Sequence, residues 1–183
     1  MGRSADPLLL AGESGYDERV VLAEARRQQD EVALGVAAAA KQGLYFWSGD
    51  HAGAAAATAA ALENLSGLEG TAASQLVYLI GALSMICAAP KDPATARFVR
   101  QSLASHRKWA AGSPENYAAA HALIEGAWAR ATGHYSKADR FLHDAIRFAE
   151  QYQLPARSAR ASTIRSTRSG AACCSSKARC SAS

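Results

Sequence analysis

Residues 117–155 read YAAAHALIEGAWARATGHYSKADRFLHDAIRFAEQYQLP, two apolar-periodic runs separated by Ala131-Thr132-Gly133-His134-Tyr135. The first run places Ala119, Ala122, Leu123, Gly126 and Ala129 at helical spacing, and the second repeats it with Ala138, Phe141, Leu142, Ala145, Ile146 and Ala149. Small residues at Gly126, Ala138 and Ala145 let two antiparallel helices approach closely, and Gly133 suits a left-handed residue between them. The stretch is therefore a helical hairpin with a close seam.

The same grammar recurs upstream. Ser48-Gly49-Asp50-His51 has the turn chemistry of Thr132-Gly133-His134-Tyr135, and aligning Gly49 on Gly133 sets Tyr45 opposite Ala129, Ala54 opposite Ala138 and Ala61 opposite Ala145. A hairpin of this length that buries its face only by stacking on neighbours has the pattern of a tetratricopeptide-type repeat. A first helix starts near Asp17 and runs to about Gln29, and the next runs from Glu31 to Trp47, with Gly35 as a break or a tolerated interior glycine. Thr71 can cap a helix through Leu76, Ile80, Leu83 and Cys87 that Pro90 ends. Asp92-Pro93 and Ser113-Pro114-Glu115 open two more. The expectation is an all-α chain of about seven up-and-down helices, antiparallel hairpins stacked as a tetratricopeptide-like array over 15–155. An irregular start (1–14) and a disordered tail (156–183) flank it.

The chain has 183 residues, 49% hydrophobic but only 7% aromatic, a composition that favours close helix packing over a sheet. No run of about 18 apolar residues occurs, and Leu8-Leu9-Leu10-Ala11 is too short for a secretory core, so a cytoplasmic protein is the default. The net charge of +4 comes from the tail, where Arg157, Arg160, Arg165, Arg168, Lys177 and Arg179 face no acid. Taking those six from 20 basic residues leaves 14 against 16 acids, a nearly neutral helical part unlike a nucleic-acid-binding surface. The tail's Ser/Arg/Ala/Cys mixture lacks periodicity and supports no packed core; it reads as a disordered natural tail or, the favoured reading, as a frame truncated or shifted near codon 156. An unfinished array exposes an apolar end, from which self-association is expected.

No catalytic, cofactor-binding or metal-ligating constellation is found. Gly12-Glu13-Ser14-Gly15 opens like a phosphate loop but lacks the Gly-Lys-Ser/Thr that reaches phosphate and magnesium. His51 and His134 fall in the two turns without a carboxylate cluster, which makes them solvated turn residues rather than ligands. Cys87 falls on the stripe of Leu76, Ile80 and Leu83 as a buried thiol, and Cys173, Cys174 and Cys180 fit no zinc spacing, so free thiols are expected. Trp47, Trp109 and Trp128 occupy hairpin-packing positions. Glu24, Arg26, Arg27, Asp30 and Glu31 form a charge run expected to be a solvated helix face.

Tyr45-Phe46-Trp47, Ser48-Gly49-Asp50-His51, Leu76–Leu83, Trp109-Ala110 and Ser113-Pro114-Glu115-Asn116-Tyr117, followed by the Gly133 hairpin, resemble the helical region of large bacterial hybrid signalling kinases. Those proteins join a serine/threonine kinase, an AAA-type ATPase, a tetratricopeptide-like region, a GAF sensor and a histidine kinase. The resemblance covers roughly residues 17–155. It implies a non-catalytic scaffold for protein–protein or interdomain contacts, with a protein or peptide as partner and neither nucleic acid nor membrane. The kinase, ATPase and sensor motifs are absent, so those activities do not carry over. The alternatives are a helical sensor arm of an ATPase-type transcription regulator, or a fragment bearing the parent's kinase or ATP-binding activity.

Overall fold

Four aspartates mark helix starts, because a short carboxylate can accept from the backbone N–H groups that a first turn leaves unpaired. Asp17 accepts from Arg19 N at 2.8 Å, Asp30 from Ala33 N at 2.9 Å, Asp50 from Gly53 N at 2.8 Å and Asp92 from Ala94 N at 2.8 Å. In the computed structural model, which describes residues 17–154 and 160–164, these caps open α1 (Glu18–Gln28), α2 (Glu31–Ser48), α3 (His51–Glu63) and α5 (Pro93–Gly112). The other helices are α4 (Ala72–Ala88), α6 (Pro114–Ala131) and α7 (Tyr135–Gln151), with a 3-10 turn at Leu65–Leu68. Among the described residues no strand occurs, and the chain is all-α as the periodicity requires. No helix there is long and apolar enough to cross a membrane.

Four helix ends, those of α1, α2, α6 and α7, close in one way. The N–H of the residue two or three past the helix returns to a carbonyl five residues back in Asp30→Ala25 (2.9 Å), Asp50→Tyr45 (2.9 Å), His134→Ala129 (2.8 Å) and Leu154→Ala149 (2.6 Å). The residue between must be left-handed. Gly49 (φ 85°) and Gly133 (φ 83°) adopt that conformation without a side-chain penalty, whereas Gln29 and Gln153 are driven to φ 56°.

The chain divides into two compact units, residues 1–81 and 82–183, with the break inside α4. In the first unit α2 pairs with α3, and Ala61, Leu68 and Val77 form a fully buried cluster. Gly35 is a tolerated interior glycine with a reason: a Cβ there would lie 2.9 Å from Leu68 Cγ and 3.0 Å from the Asn64 carbonyl. Gln42, fully buried, donates to Thr58 Oγ1 (2.8 Å) and to the Val77 carbonyl (3.0 Å), tying α2 to both α3 and α4. Thr71 donates its hydroxyl back to the Leu68 carbonyl.

In the second unit α6 packs between α5 and α7. The seam expected from small residues is present: Ala138 and Ala145 are fully buried, and a Cβ on Gly126 would stand 2.7 Å from Leu142 Cγ. Five residues of the stretch read as a disordered tail, 160–164, are instead helical, with Ala161 and Ile164 buried. Two apolar residues three apart suffice to seat one turn, which the search for longer periodicity passes over. The phosphate-loop-like Gly12–Gly15 and the tail cysteines lie outside the described residues.

Candidate docking groove

The first unit carries an open groove of about 680 Å³ between α1, α2 and α3. Its floor is alanine, from Ala37 and Ala38 on α2 and from Ala56, Ala57 and Ala60 on α3. Short side chains at these helical spacings leave the space that larger residues would fill. Leu22 and Leu34 supply apolar wall, and charges gather at the rim: Glu18, Arg26, Lys41, Asp50 and Glu63. Lys41 Nζ meets Glu18 Oε1 at 3.0 Å, with only 7% of the Glu18 side chain exposed. This pair holds α1 against α2. At the opposite end Gly53 gives Tyr45 and Asp50 room, since a Cβ there would fall 2.8 Å from Tyr45 Cδ1.

The residues singled out in the sequence are dispersed. His51 is buried and set edge-on to Phe46 at 5.5 Å between ring centroids, not solvated, because it opens α3 and its ring turns toward α2. His134 is exposed at the start of α7, with Nδ1 3.1 Å from Thr132 Oγ1. The hairpin alignment pairs His134 with Asp50 and His51 with Tyr135. Cys87 is half-buried and disulfide-bonded rather than a free buried thiol, and Leu76 of its expected stripe is exposed. Trp109 and Trp128 are half-buried; Trp109 packs on Tyr117 at 5.5 Å. Trp47 instead projects into solvent, 66% exposed.

The charge run divides by role. Arg27 pairs with Glu24 in solvent, and with Gln28 it holds the Glu24 carboxyl below its ordinary range. Asp30 is a cap, Glu31 accepts from the Ser66 hydroxyl, and Arg26 lines the groove. In the second unit, burial holds the His121 imidazole below its ordinary value; Glu125 opposes that and Arg107 adds to it. The groove itself went unread because its determinant is an absence of side-chain volume across α2 and α3. One clue was legible: a lysine within the apolar run of α2 calls for a nearby acid, which Glu18 supplies.

Among the described residues no three His, Cys, Asp or Glu side chains converge as a metal site would require. What the groove offers is an apolar alanine floor with mixed charge among its lining residues. Comparison with protein-family models, curated proteins and solved structures returns no match.

Proposed function

We propose that the chain is a non-catalytic scaffold of the tetratricopeptide type that holds a protein segment, or an adjoining domain of a bacterial signalling kinase, in the α1–α3 groove. The observation that carries this reading is the alanine floor flanked by charge. A segment laid there would bury apolar area on Ala37, Ala38, Ala56 and Ala57 and meet the charged side chains of Arg26 and Glu63 that also line the groove. The recurrence of the Gly49 and Gly133 turns, each followed by buried small residues at the same offsets, supports a repeat architecture.

The test uses the genomic neighbourhood. Products of the frames flanking this one are expressed, and their binding to the full chain is measured by isothermal calorimetry. Binding by a kinase–ATPase or GAF–histidine kinase product is expected, and Ala57→Arg, which fills the floor, is expected to abolish it without loss of helicity. Binding that Ala57→Arg leaves intact would remove the groove from the account. A helix-turn-helix product as the binder would move the chain to a transcription regulator, and ATP binding by the chain itself would overturn the non-catalytic reading.

A further inference from the structure

The two ends of the α1–α3 groove differ in charge. At the end where α1 begins, Lys41 answers Glu18, and Asp50 is engaged as the cap on Gly53. At the other end Arg26, Leu34, Glu63 and Asn64 line the groove, where Gly35 of α2 comes close to the Asn64 carbonyl. Here the charges are unanswered: among the described residues neither Arg26 nor Glu63 has an ion-pair partner. Glu18 and Arg26 stand eight residues apart on α1, about 12 Å along its axis.

The chain that leads into α1 carries groups in the matching order. Residues 1–16 read MGRSADPLLLAGESGY and arrive at Asp17 and Glu18, the end with balanced charge. Gly12-Glu13-Ser14-Gly15 has the composition of a reversing turn, with a glycine at each end to accept left-handed backbone. Upstream of it, Leu8 and Leu10 share one side of an extended segment, because alternate residues do, and Pro7 favours extended backbone at Asp6. The five steps from Ala11 to Asp6 span about 16 Å when extended, enough to run the length from Glu18 to Arg26. A segment turned back at Gly12–Gly15 therefore lays its leucines over the alanine floor, brings Asp6 to Arg26 and lets Arg3 reach Glu63.

We propose that residues 3–12 of this chain occupy its own α1–α3 groove, with Leu8 and Leu10 on the alanine floor and Asp6 against Arg26. The segment competes with any other chain for that surface. As a regulation of docking this rests on the scaffold reading; the occupancy itself does not. A small contact suffices because the occupant is tethered. A linker this short supplies an effective concentration on the order of 1 mM, so docking of only about 0.1 mM strength fills about nine grooves in ten. A second chain must displace the segment, and its apparent affinity falls about tenfold.

The first test is photo-crosslinking of the full chain carrying Leu10→benzoylphenylalanine, in a mixture of ¹⁵N-labelled and unlabelled copies. Crosslinks within one copy, to the peptides that carry Ala37, Ala38, Ala56 and Ala57, are expected. Ala57→Arg should lower their yield at least about fivefold by filling the floor. Asp6→Arg and Arg26→Asp should each lower it about two- to fivefold and together restore it, which apolar contact alone would not do. Should Ala57→Arg misfold, the charge exchange still decides. The second test is calorimetry with a synthetic peptide of residues 1–16. The full chain carrying Leu8→Ser, Leu9→Ser and Leu10→Ser is expected to bind it about tenfold more tightly than the parent, whose groove is already filled. Crosslinks to other helices, crosslinks between isotopic copies, or equal peptide binding by the parent and the triple variant would each overturn the proposal. Groove crosslinks without binding by any flanking frame's product would sustain it and remove the scaffold reading. A flanking product that binds the parent and the triple variant equally tightly would overturn it and leave that reading in place.

Discussion

Replacing one glycine by alanine should have opposite effects at two sites, and the structure gives the sign of each. At Gly43 the new methyl enters open space, so the substitution yields the helix-propensity gain alone, about 0.5–1 kcal/mol of stabilisation. At Gly126 the same gain is opposed by a collision. The Cβ would lie 2.7 Å from Leu142 Cγ and 2.8 Å from Cδ2, and the Leu142 backbone nitrogen at 3.2 Å limits how far the side chain can retreat. Overpacking of this kind costs about 1–3 kcal/mol, which leaves Gly126→Ala about 0–2 kcal/mol less stable than the parent. The two variants should therefore differ by about 1–3 kcal/mol, or several degrees in midpoint temperature for a chain of this size. Thermal and urea unfolding followed at 222 nm, at low protein concentration, would measure it. Leu142→Ala in the Gly126→Ala background should cost less than in the parent, because the trimmed leucine no longer meets the methyl. Equal stabilisation by alanine at positions 43 and 126 would refute the close α6–α7 seam.

Other outcomes follow from single contacts. Lys41→Met removes the ammonium 3.0 Å from buried Glu18 and should cost about 1–3 kcal/mol, partly recovered by adding Glu18→Gln, as chemical denaturation would show. Gln29→Gly relieves a left-handed glutamine and should stabilise by about 0.5–1 kcal/mol, read from the same curves. The depressed His121 imidazole binds protons more weakly folded than unfolded. Stability should fall as pH drops below the unfolded value near 6.5 and be unaffected by this group above it; His121→Gln should flatten that slope in a pH series of melts.

The helices were legible because their punctuation is local. Asp17, Asp92-Pro93, Ser113-Pro114 and the glycines at 49 and 133 mark ends by chemistry that acts within one turn. The α6–α7 seam was legible for a related reason, since closely spaced small residues at Gly126, Ala138 and Ala145 serve a contact between consecutive helices. The positions that misled depend on rotation about the helix axis relative to distant neighbours. Trp47 belongs to a strongly apolar helix but faces outward, and His51 sits in a turn sequence yet its ring is buried against Phe46. Periodicity identifies an apolar stripe without saying whether another helix reaches it. The α1–α3 groove was harder still, being defined by missing volume on three helices.

The buried amide of Gln42 has a consequence for how this chain could have grown. Where the α6–α7 hairpin sets Gly126 against Leu142, the α2–α3 hairpin sets Gln42 against Thr58 and adds a tether to the Val77 carbonyl on α4. Two modules with the same outline thus carry different keys. A hairpin copied into the other's slot would match its contour but leave polar groups of its new neighbours unanswered, or strike a leucine where a threonine belongs. Duplication of such a unit must be followed by divergence at this one internal contact before the copies lose the ability to exchange places.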